Sequence, residues 1–311
     1  MAAPSPVEPT FLTRPFTVAE FTASGYSAKL LRSRRFIRCH PRVWVSARHV
    51  MSPGDRREAA RLALPCQARM TDITRIQDLG LDFGDPSPLH FVVDHDLHID
   101  IEGIMLHRTA AMPPSDGRAV TPAAAFVAYC SHARVIDAIG VGDWLLHWRH
   151  MTVREVADLV ASQPWRNGAA QARRVIPSLT ARSRSIPESQ LRVIFGASGI
   201  TGLEVNAPFE TPGGRPLEID LLVRDCQFAI EYEGTHHQSD RGQYLKDIDR
   251  HGLFREAGLH YTLVTKEHMH YPRSVVLSIH RRLLERGYDG PPPDFGQRWH
   301  AAFAAIRPAR R

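Results

Sequence analysis

Acidic residues on a predicted hairpin are the strongest chemical signal in the sequence. Two runs of alternating apolar residues, 217–223 and 228–232, predict two antiparallel strands joined by a tight turn. In the register that this turn sets, side chains alternate between faces and four carboxylates share one face of the sheet. They form two opposed pairs, Asp220 with Glu231 and Glu218 with Glu233. Like charges at opposed positions are destabilising, so a divalent cation, Mg²⁺ or Mn²⁺, is the simplest compensation.

The other face of the same hairpin is expected to be one continuous apolar surface. Its members are the remaining side chains of the two strands, Leu217, Ile219, Leu221, Val223, Phe228, Ile230 and Tyr232. On the carboxylates alone, a solvated acidic face without a metal ion stays an open alternative.

The elements around the hairpin predict a compact mixed domain. Proline in the first turn and an apolar stripe predict a helix that begins near Ile186 and ends by Gly199. A strand follows over 203–209, where Pro208 indicates an edge or a strand end. After the hairpin the pattern gives a helix over 240–257, a strand and a last helix. The order is helix, three strands, helix, strand, helix.

Residues 183–286 resemble an endonuclease-like family related to the very-short-patch repair endonuclease, within the PD-(D/E)XK nuclease superfamily. The resemblance lies in separated motifs that occur in the family's order. They are Ser185-Ile186-Pro187-Glu188-Ser189, Pro216 to Val223, Ile230 to His237, Gln243-Tyr244, Asp247-Ile248-Asp249-Arg250, Leu253 and Gly258. The resemblance implies a restriction-endonuclease-like fold and Mg²⁺-dependent (or Mn²⁺-dependent) hydrolysis of phosphodiester bonds in DNA, with no organic cofactor.

The resemblance also assigns roles to individual residues. Glu188, Asp220 and Glu231 match the family's metal-binding carboxylates, and His237 matches a histidine that can act as general acid or base. A supporting group shares one face of the next helix and consists of Gln243, Asp247 and Arg250.

Two residues depart from the pattern that the resemblance implies. Glu233 occupies the catalytic position where the superfamily has lysine, which normally stabilises the charge that develops in the transition state. Glu218 lies where relatives commonly have arginine. These departures favour an alternative, in which the domain has lost turnover and the protein is a non-catalytic, DNA-binding autoregulator.

A basic segment, residues 11–48, has a different character, because Glu20 is the only acid between Arg14 and Arg48. Thr17 and Glu20 have capping-box spacing, which predicts a helix from about Val18 to Ala23. A second helix capped by Ser27 and a hairpin over 36–45 follow.

This order of elements resembles the N-terminal winged helix-turn-helix domain of the AbiEi family of type IV antitoxins, which are DNA-binding autoregulators. The resemblance implies that the second helix enters the major groove and that the hairpin arginines contact phosphates. The DNA-binding candidates are Lys29, Arg32, Arg34, Arg35, Arg38 and Arg42. It also implies a possible cognate toxin as partner. The alternative is a small helical cap with a solvated basic face.

We therefore expect a mixed α/β, multidomain chain. Its predicted parts are a winged helix (11–48), an antitoxin-like connecting domain (49–178), an endonuclease-like domain (183–288) and a loose basic tail (289–311). The connecting domain contains scattered histidines whose spacing matches no metal-ligand motif, so surface or internally satisfied roles are expected. They are His90, His95, His98, His107, His147 and His150.

Composition limits the class of protein. The chain has 311 residues, 43% of them hydrophobic and 23% charged, with a net charge of +6, which is typical of globular domains. No apolar run approaches the length of a membrane span, and no signal peptide is evident. The widely spaced cysteines indicate neither a disulfide framework nor a thiolate zinc site. A cytoplasmic location is the expectation.

Overall fold

The computed structural model describes residues 7–234, 249 and 252–307. The chain is mixed α/β and divides into two compact units, Met1–Ala128 and Tyr129–Arg311. The basic segment lies in the first unit and the endonuclease-like segment in the second. The predicted connecting domain, residues 49–178, is divided between the two.

The basic segment forms a small three-stranded sheet with a core that is rich in aromatic residues. Strand β1 (Phe16–Thr17) pairs with β3 (Val43–Ser46), which pairs with β2 (Phe36–His40), all antiparallel. Helix α1 spans Val18–Ala23, and the Thr17 side chain caps it by accepting from the Glu20 amide at 3.1 Å. This confirms the predicted helix and hairpin. The core side chains are Val7, Phe11, Phe16, Phe21, Leu31 and Phe36.

The second predicted helix of the basic segment differs from expectation. Ser27 caps it as predicted, but Ala28–Arg32 is a five-residue 3₁₀ helix, and Arg34 lies beyond its end. With a rise of about 2 Å per residue, such a segment is about 10 Å long. A short 3₁₀ segment presents fewer side chains to a DNA groove than an α-helix of the usual length.

The rest of the first unit is a second small sheet with two helices. Helix α2 spans Pro53–Ala63 and α3 spans Asp72–Asp78. Strand β5 (Leu89–Val93) lies between β4 (Arg69–Met70), to which it is antiparallel, and β6 (Ile104–Arg108), to which it is parallel. Strand β6 is therefore an edge strand. Helix α4, Pro122–Cys130, runs across the boundary between the units.

Helices dominate the first part of the second unit. Helix α5 spans Val135–His147, α6 Val153–Ser162, α7 Ala169–Val175 and α8 Ile186–Ala197. Helix α8 begins with the predicted proline in its first turn and is capped by Ser185. Its buried face, which includes Leu191, Ile194 and Phe195, packs against the sheet described next.

Four strands form the sheet of the second unit, in the order β10-β9-β8-β7. Strands β7 (Leu203–Glu210), β8 (Pro216–Val223) and β9 (Phe228–Glu233) are successively antiparallel, and β10 (His260–Thr265) is parallel to β9. Residues 252–256 form helix α9, and α10 (Lys266–Met269) and α11 (Pro272–Leu284) follow β10. The predicted edge position of the strand that contains Pro208 is confirmed.

The apolar surface of the hairpin is divided, contrary to expectation. Leu221 and the later apolar residues pack in the core with α8, whereas Leu217 and Ile219 pack in a second cluster with Phe254 and Leu259. The change occurs across from Asn206, a β7 residue with φ of 42°. A residue in this left-handed conformation bends the strand, so side chains before and after it point to opposite faces.

The predicted loose tail is a packed helix. Helix α12 spans Gln297–Phe303, and Trp299 is buried in the core that contains α8. The backbone after α12 binds the start of α5, because the Val135 amide donates to Ala304 O at 3.0 Å. The sequence did not indicate helix α12, because the segment is short, basic and rich in proline. Only residues 308–311 of the predicted tail lie outside the described part of the chain.

None of the four cysteines forms a disulfide bond. Within residues 7–234 and 252–307, no helix has both the length and the apolar character that crossing a bilayer requires.

Candidate active site

Two carboxylates lie just beyond the end of the ladder between the central strands of the second sheet. The ladder between β8 and β9 runs from Val223–Phe228 to Leu221–Ile230, in the register that the sequence predicted. Beyond it, the Asp220 amide donates to Glu231 Oε1 at 3.0 Å and the Tyr232 amide donates to Asp220 Oδ2 at 2.8 Å. Each carboxylate thus accepts a bond from the opposite strand. We call Asp220 and Glu231, which lie just past the last pair of this ladder, the carboxylate fork.

The fork combines burial with charge. Glu231 is only 5% exposed although it carries an ionisable group, and Asp220 is half-buried. Burial of a carboxylate is costly unless hydrogen bonds or a cation compensate it. The amide donors supply part of that compensation, and a divalent cation would supply more.

Glu188 is held close to the fork by α8 and β7. Its Oε1 accepts from Ser185 Oγ at 2.9 Å, and its Oε2 accepts from the Arg184 amide at 2.8 Å, so it takes part in the N-terminal cap of α8. Asn206 Nδ2 also donates to Glu188 Oε2 at 3.3 Å. The register on either side of Asn206 places it across from Asp220. Asn206 therefore connects Glu188 with the fork, a role that the sequence analysis missed.

The other predicted carboxylate pair is not formed by ladder pairing. Glu218 pairs with Pro208 of β7, and its Oε2 forms an ion pair with Arg184 Nη2. Glu233 pairs with Thr265 of β10 and is exposed. The ladder between β8 and β9 ends at Leu221 and Ile230, so the expected pairing of Glu218 with Glu233 stays a prediction, and Glu218 has a cationic partner in Arg184.

A buried ion pair anchors the helix that positions Glu188. Asp143 of α5 is fully buried, and its Oδ2 binds Ser189 Oγ at 2.8 Å and Arg192 Nη2 at 2.7 Å on α8. Its Oδ1 accepts from the Thr180 amide at 2.7 Å. Burial raises the pKa of Asp143, and Arg192 opposes that rise. Ser189 directly follows Glu188, so this network fixes the first turn of α8.

Several predicted residues lie outside the described part of the chain. They are the candidate acid–base residue and the supporting group, His237, Gln243, Asp247 and Arg250.

The donors at the fork suit Mg²⁺ or Mn²⁺. Magnesium in proteins is commonly held by one or two carboxylates, with water and phosphate oxygens in the other positions, and Asp220 and Glu231 are two adjacent carboxylates. Glu188 fits less directly. Among the described residues, it does not join Asp220 and Glu231 in a group whose ligand atoms all lie within 4.8 Å.

The predicted DNA-binding residues are mostly exposed. Lys29, Arg32 and Arg34 project from the 3₁₀ segment and the turn after it, and Arg38 and Arg42 project from the hairpin. Arg35 is half-buried, with its guanidinium carbon 6.0 Å from the centre of the Phe36 ring. Within the described residues none of the six forms an ion pair, whereas Arg14 is paired with Glu20. Their charge is therefore available to an anionic partner.

One group of potential metal ligands was not expected from the sequence. Asp72, His90 and His107 each place one ligand atom within 4.8 Å of the other two. We call these residues the Asp–His–His cluster. His90 and His107 were expected to be surface or satisfied histidines, because no local spacing joins them.

Comparisons with known proteins give two relatives and no function. Two uncharacterized proteins, from two strains of Mycobacterium tuberculosis, are each 28% identical to this chain over 159 residues. The match covers 50% of this chain and 59% of each relative. No protein-family model and no solved structure matches the chain.

Proposed function

We propose that this protein is a DNA-binding, metal-dependent endonuclease whose second unit hydrolyses phosphodiester bonds. The observation that carries the proposal is the carboxylate fork, in which Asp220 and Glu231 extend past the last ladder pair of two central strands. This arrangement places two acidic residues just beyond the end of the ladder, where their oxygens could bind a cation.

The order of elements around the fork supports the proposal. Helix α8 is followed by three antiparallel strands, by helical residues 252–256 and by the parallel strand β10, as the resemblance to PD-(D/E)XK nucleases implies. Glu188 at the start of α8 reaches Asn206 beside the fork. Glu188 is thus linked to the neighbourhood of Asp220 through Asn206, although these residues are far apart in the sequence.

Asp220 and Glu231 would hold Mg²⁺ or Mn²⁺. The ion, when bound, would supply an activated water and would stabilise negative charge on the phosphate and the leaving oxygen. The protein orients these carboxylates through the amides of Asp220 and Tyr232. Arg184 neutralises Glu218 and so reduces the repulsion that an approaching phosphate would meet. The exposed arginines of the basic segment would contact the DNA backbone.

A non-catalytic regulator is the second candidate function, and specific observations favour it. Glu233 cannot replace the lysine that the resemblance calls for, and both oxygens of Glu188 already accept bonds from Ser185 and from the Arg184 amide. On this alternative the basic segment binds operator DNA, the second unit is structural, and a cognate toxin is a further possible partner. The cytoplasmic location stays part of both proposals.

Cleavage and binding assays on the full chain separate the two candidates. We expect plasmid DNA to be cut in Mg²⁺ or Mn²⁺ and left intact in a chelator. Asp220→Asn should abolish cutting while DNA binding persists in a mobility-shift assay. Asp158→Asn is the matched control, because that carboxylate is 72% exposed on the same unit.

Each other outcome has a defined meaning. DNA binding without cleavage in either metal would contradict the nuclease proposal and favour the regulator. Cleavage that needs no divalent metal, or that survives Asp220→Asn, would show that the fork is not the active site.

A further inference from the structure

We propose that the Asp–His–His cluster of the first unit is a Zn²⁺ site, separate from the carboxylate fork and independent of the proposed nuclease activity. The cluster joins α3, β5 and β6, three elements whose ligand residues are far apart in sequence. Imidazole nitrogen suits Zn²⁺ better than Mg²⁺ or Ca²⁺, which prefer oxygen.

Backbone hydrogen bonds fix the position of His90 beside the start of α3. The Thr71 amide donates to His90 O at 3.0 Å, and the His90 amide donates to Thr74 Oγ1 at 2.8 Å. The residues on either side of Asp72 thus hold the strand against the first turn of the helix. The carboxylate and the imidazole are placed together by the fold rather than by chance contact of mobile side chains.

The parallel ladder between β5 and β6 adds the second histidine. His90 pairs with Met105, and Val92 pairs with His107. His107 is two residues beyond Met105, so its side chain lies on the same face of the sheet as the side chain of His90. The two rings are stacked, with centroids 5.2 Å apart and planes inclined by 18°. His90 Nδ1 and His107 Nε2 are 2.9 Å apart.

Asp72 completes the cluster from a strained backbone conformation. It is 1% exposed and has φ of 56°, the left-handed region that costs most residues energy. Its Oδ1 accepts from the Ile73 amide at 2.6 Å, and its Oδ2 lies 4.0 Å from His90 Nδ1. The negative charge of this buried carboxylate, next to two imidazoles, would balance the positive charge of a bound cation.

The distances are close to those of a zinc site. Zinc–nitrogen and zinc–oxygen bonds of about 2.0–2.1 Å in a tetrahedron separate the ligand atoms by about 3.3 Å. The observed 2.9 and 4.0 Å lie on either side of that value. Shifts of well under 1 Å in side-chain torsions would therefore admit the ion, with water or another ligand in the fourth position.

Metal binding would change one hydrogen bond within the cluster. In the His90–His107 contact, one of the two facing nitrogens carries the hydrogen. Zinc needs the lone pairs of both nitrogens, so that ring would adopt its other neutral tautomer, with the hydrogen on the opposite nitrogen. The Asp72 carboxylate would contribute its negative charge to the ion. Both imidazoles remain neutral, as zinc ligands must be.

Cobalt titration of the full chain tests the proposal. The protein should carry Asp220→Asn, so that the fork cannot compete, and should have no histidine tag. After removal of metal with a chelator, we expect one equivalent of Co²⁺ to give the visible absorption of a tetrahedral site, and Zn²⁺ to displace it. His107→Gln and Asp72→Asn should each weaken Co²⁺ binding at least 10-fold.

The variants are chosen to leave the fold intact. His107 is half-buried on an edge strand, and asparagine tolerates the φ of Asp72. His95→Gln, a change at a 45% exposed histidine of the same unit, is the control and should bind Co²⁺ as the parent does.

Three results would overturn the proposal. They are the absence of a stoichiometric Co²⁺ spectrum, equal binding by the parent and both cluster variants, and equal loss in His95→Gln. If a cluster variant does not fold, thermal unfolding of the parent decides the question, since Zn²⁺ must raise its midpoint and a chelator must reverse the rise. An unchanged midpoint would then contradict the site.

Discussion

The backbone amide of Asp220 donates a hydrogen bond to the carboxylate of Glu231 just past the end of a β-ladder. The Asp220 amide binds Glu231 Oε1 at 3.0 Å, while Asp220 Oδ2 binds the amide of Tyr232, the residue after Glu231. The ladder can therefore end here without leaving these amides unsatisfied. The same carboxylates that would hold a cation thus also satisfy the backbone at this point.

Substitutions at Asp220 should separate these two roles. Asp220→Asn keeps an oxygen that can accept from the Tyr232 amide, so we expect nearly wild-type stability together with loss of Mg²⁺-dependent cleavage. Asp220→Ala leaves that amide without its acceptor and should lower the free energy of unfolding by about 1–3 kcal/mol. Denaturant unfolding and plasmid cleavage measure the two effects. Equal destabilisation by both variants would show that the acceptor has no structural role.

Glu188 should contribute to stability through the cap of α8 and to activity through its charge. Glu188→Ala removes the acceptor for Ser185 Oγ and the Arg184 amide, and should cost about 0.5–2 kcal/mol. Ser185→Ala is the matched control, because it removes the cap and keeps the carboxylate. If Glu188 contributes to metal binding, Glu188→Ala should need a higher Mg²⁺ concentration than the wild type for half-maximal cleavage, whereas Ser185→Ala should not. The same Mg²⁺ requirement in both variants would assign Glu188 to the cap only.

Local chemistry made much of the second unit predictable. The cap at Ser185, the edge position of Pro208 and the register that places Asp220 against Glu231 each depend on a few adjacent residues. Such signals can be recognised in one sequence, because turns, caps and strand periodicity are short-range properties.

Features that depend on distant pairing were not predictable in the same way. The Asp–His–His cluster requires the parallel register that sets His107 beside Val92, and no local pattern specifies it. The left-handed conformation of Asn206, at the point where the apolar face of the hairpin divides, is likewise not specified by a local pattern. The 3₁₀ helix Ala28–Arg32 begins with the same kind of side-chain cap as an α-helix, so the cap at Ser27 could not distinguish the two.

The buried Asp143 should be essential for the stability of the second unit. Asp143→Ala leaves Arg192, Ser189 and the Thr180 amide without their common acceptor, and the loss of one partner of a buried ion pair costs about 3–5 kcal/mol. Asp158→Ala is the control, because its ion pair with Arg154 is exposed and should contribute less than about 1 kcal/mol. Denaturant unfolding measures both. Similar effects of the two variants would contradict the anchoring role of Asp143.

The basic segment should bind DNA through phosphate contacts, so its affinity should fall steeply with salt. Arg32 and Arg38 are exposed, and neither forms an ion pair within the described residues. Each phosphate contact contributes about 0.9 to the slope of log affinity against log salt concentration. The double variant Arg32→Ala/Arg38→Ala should therefore lower the slope by about 2 and weaken binding similarly on unrelated sequences, as measured by fluorescence anisotropy. Arg154→Ala, at an exposed arginine of the second unit, should leave the slope unchanged. An unaltered slope in the double variant would show that these arginines do not contact DNA.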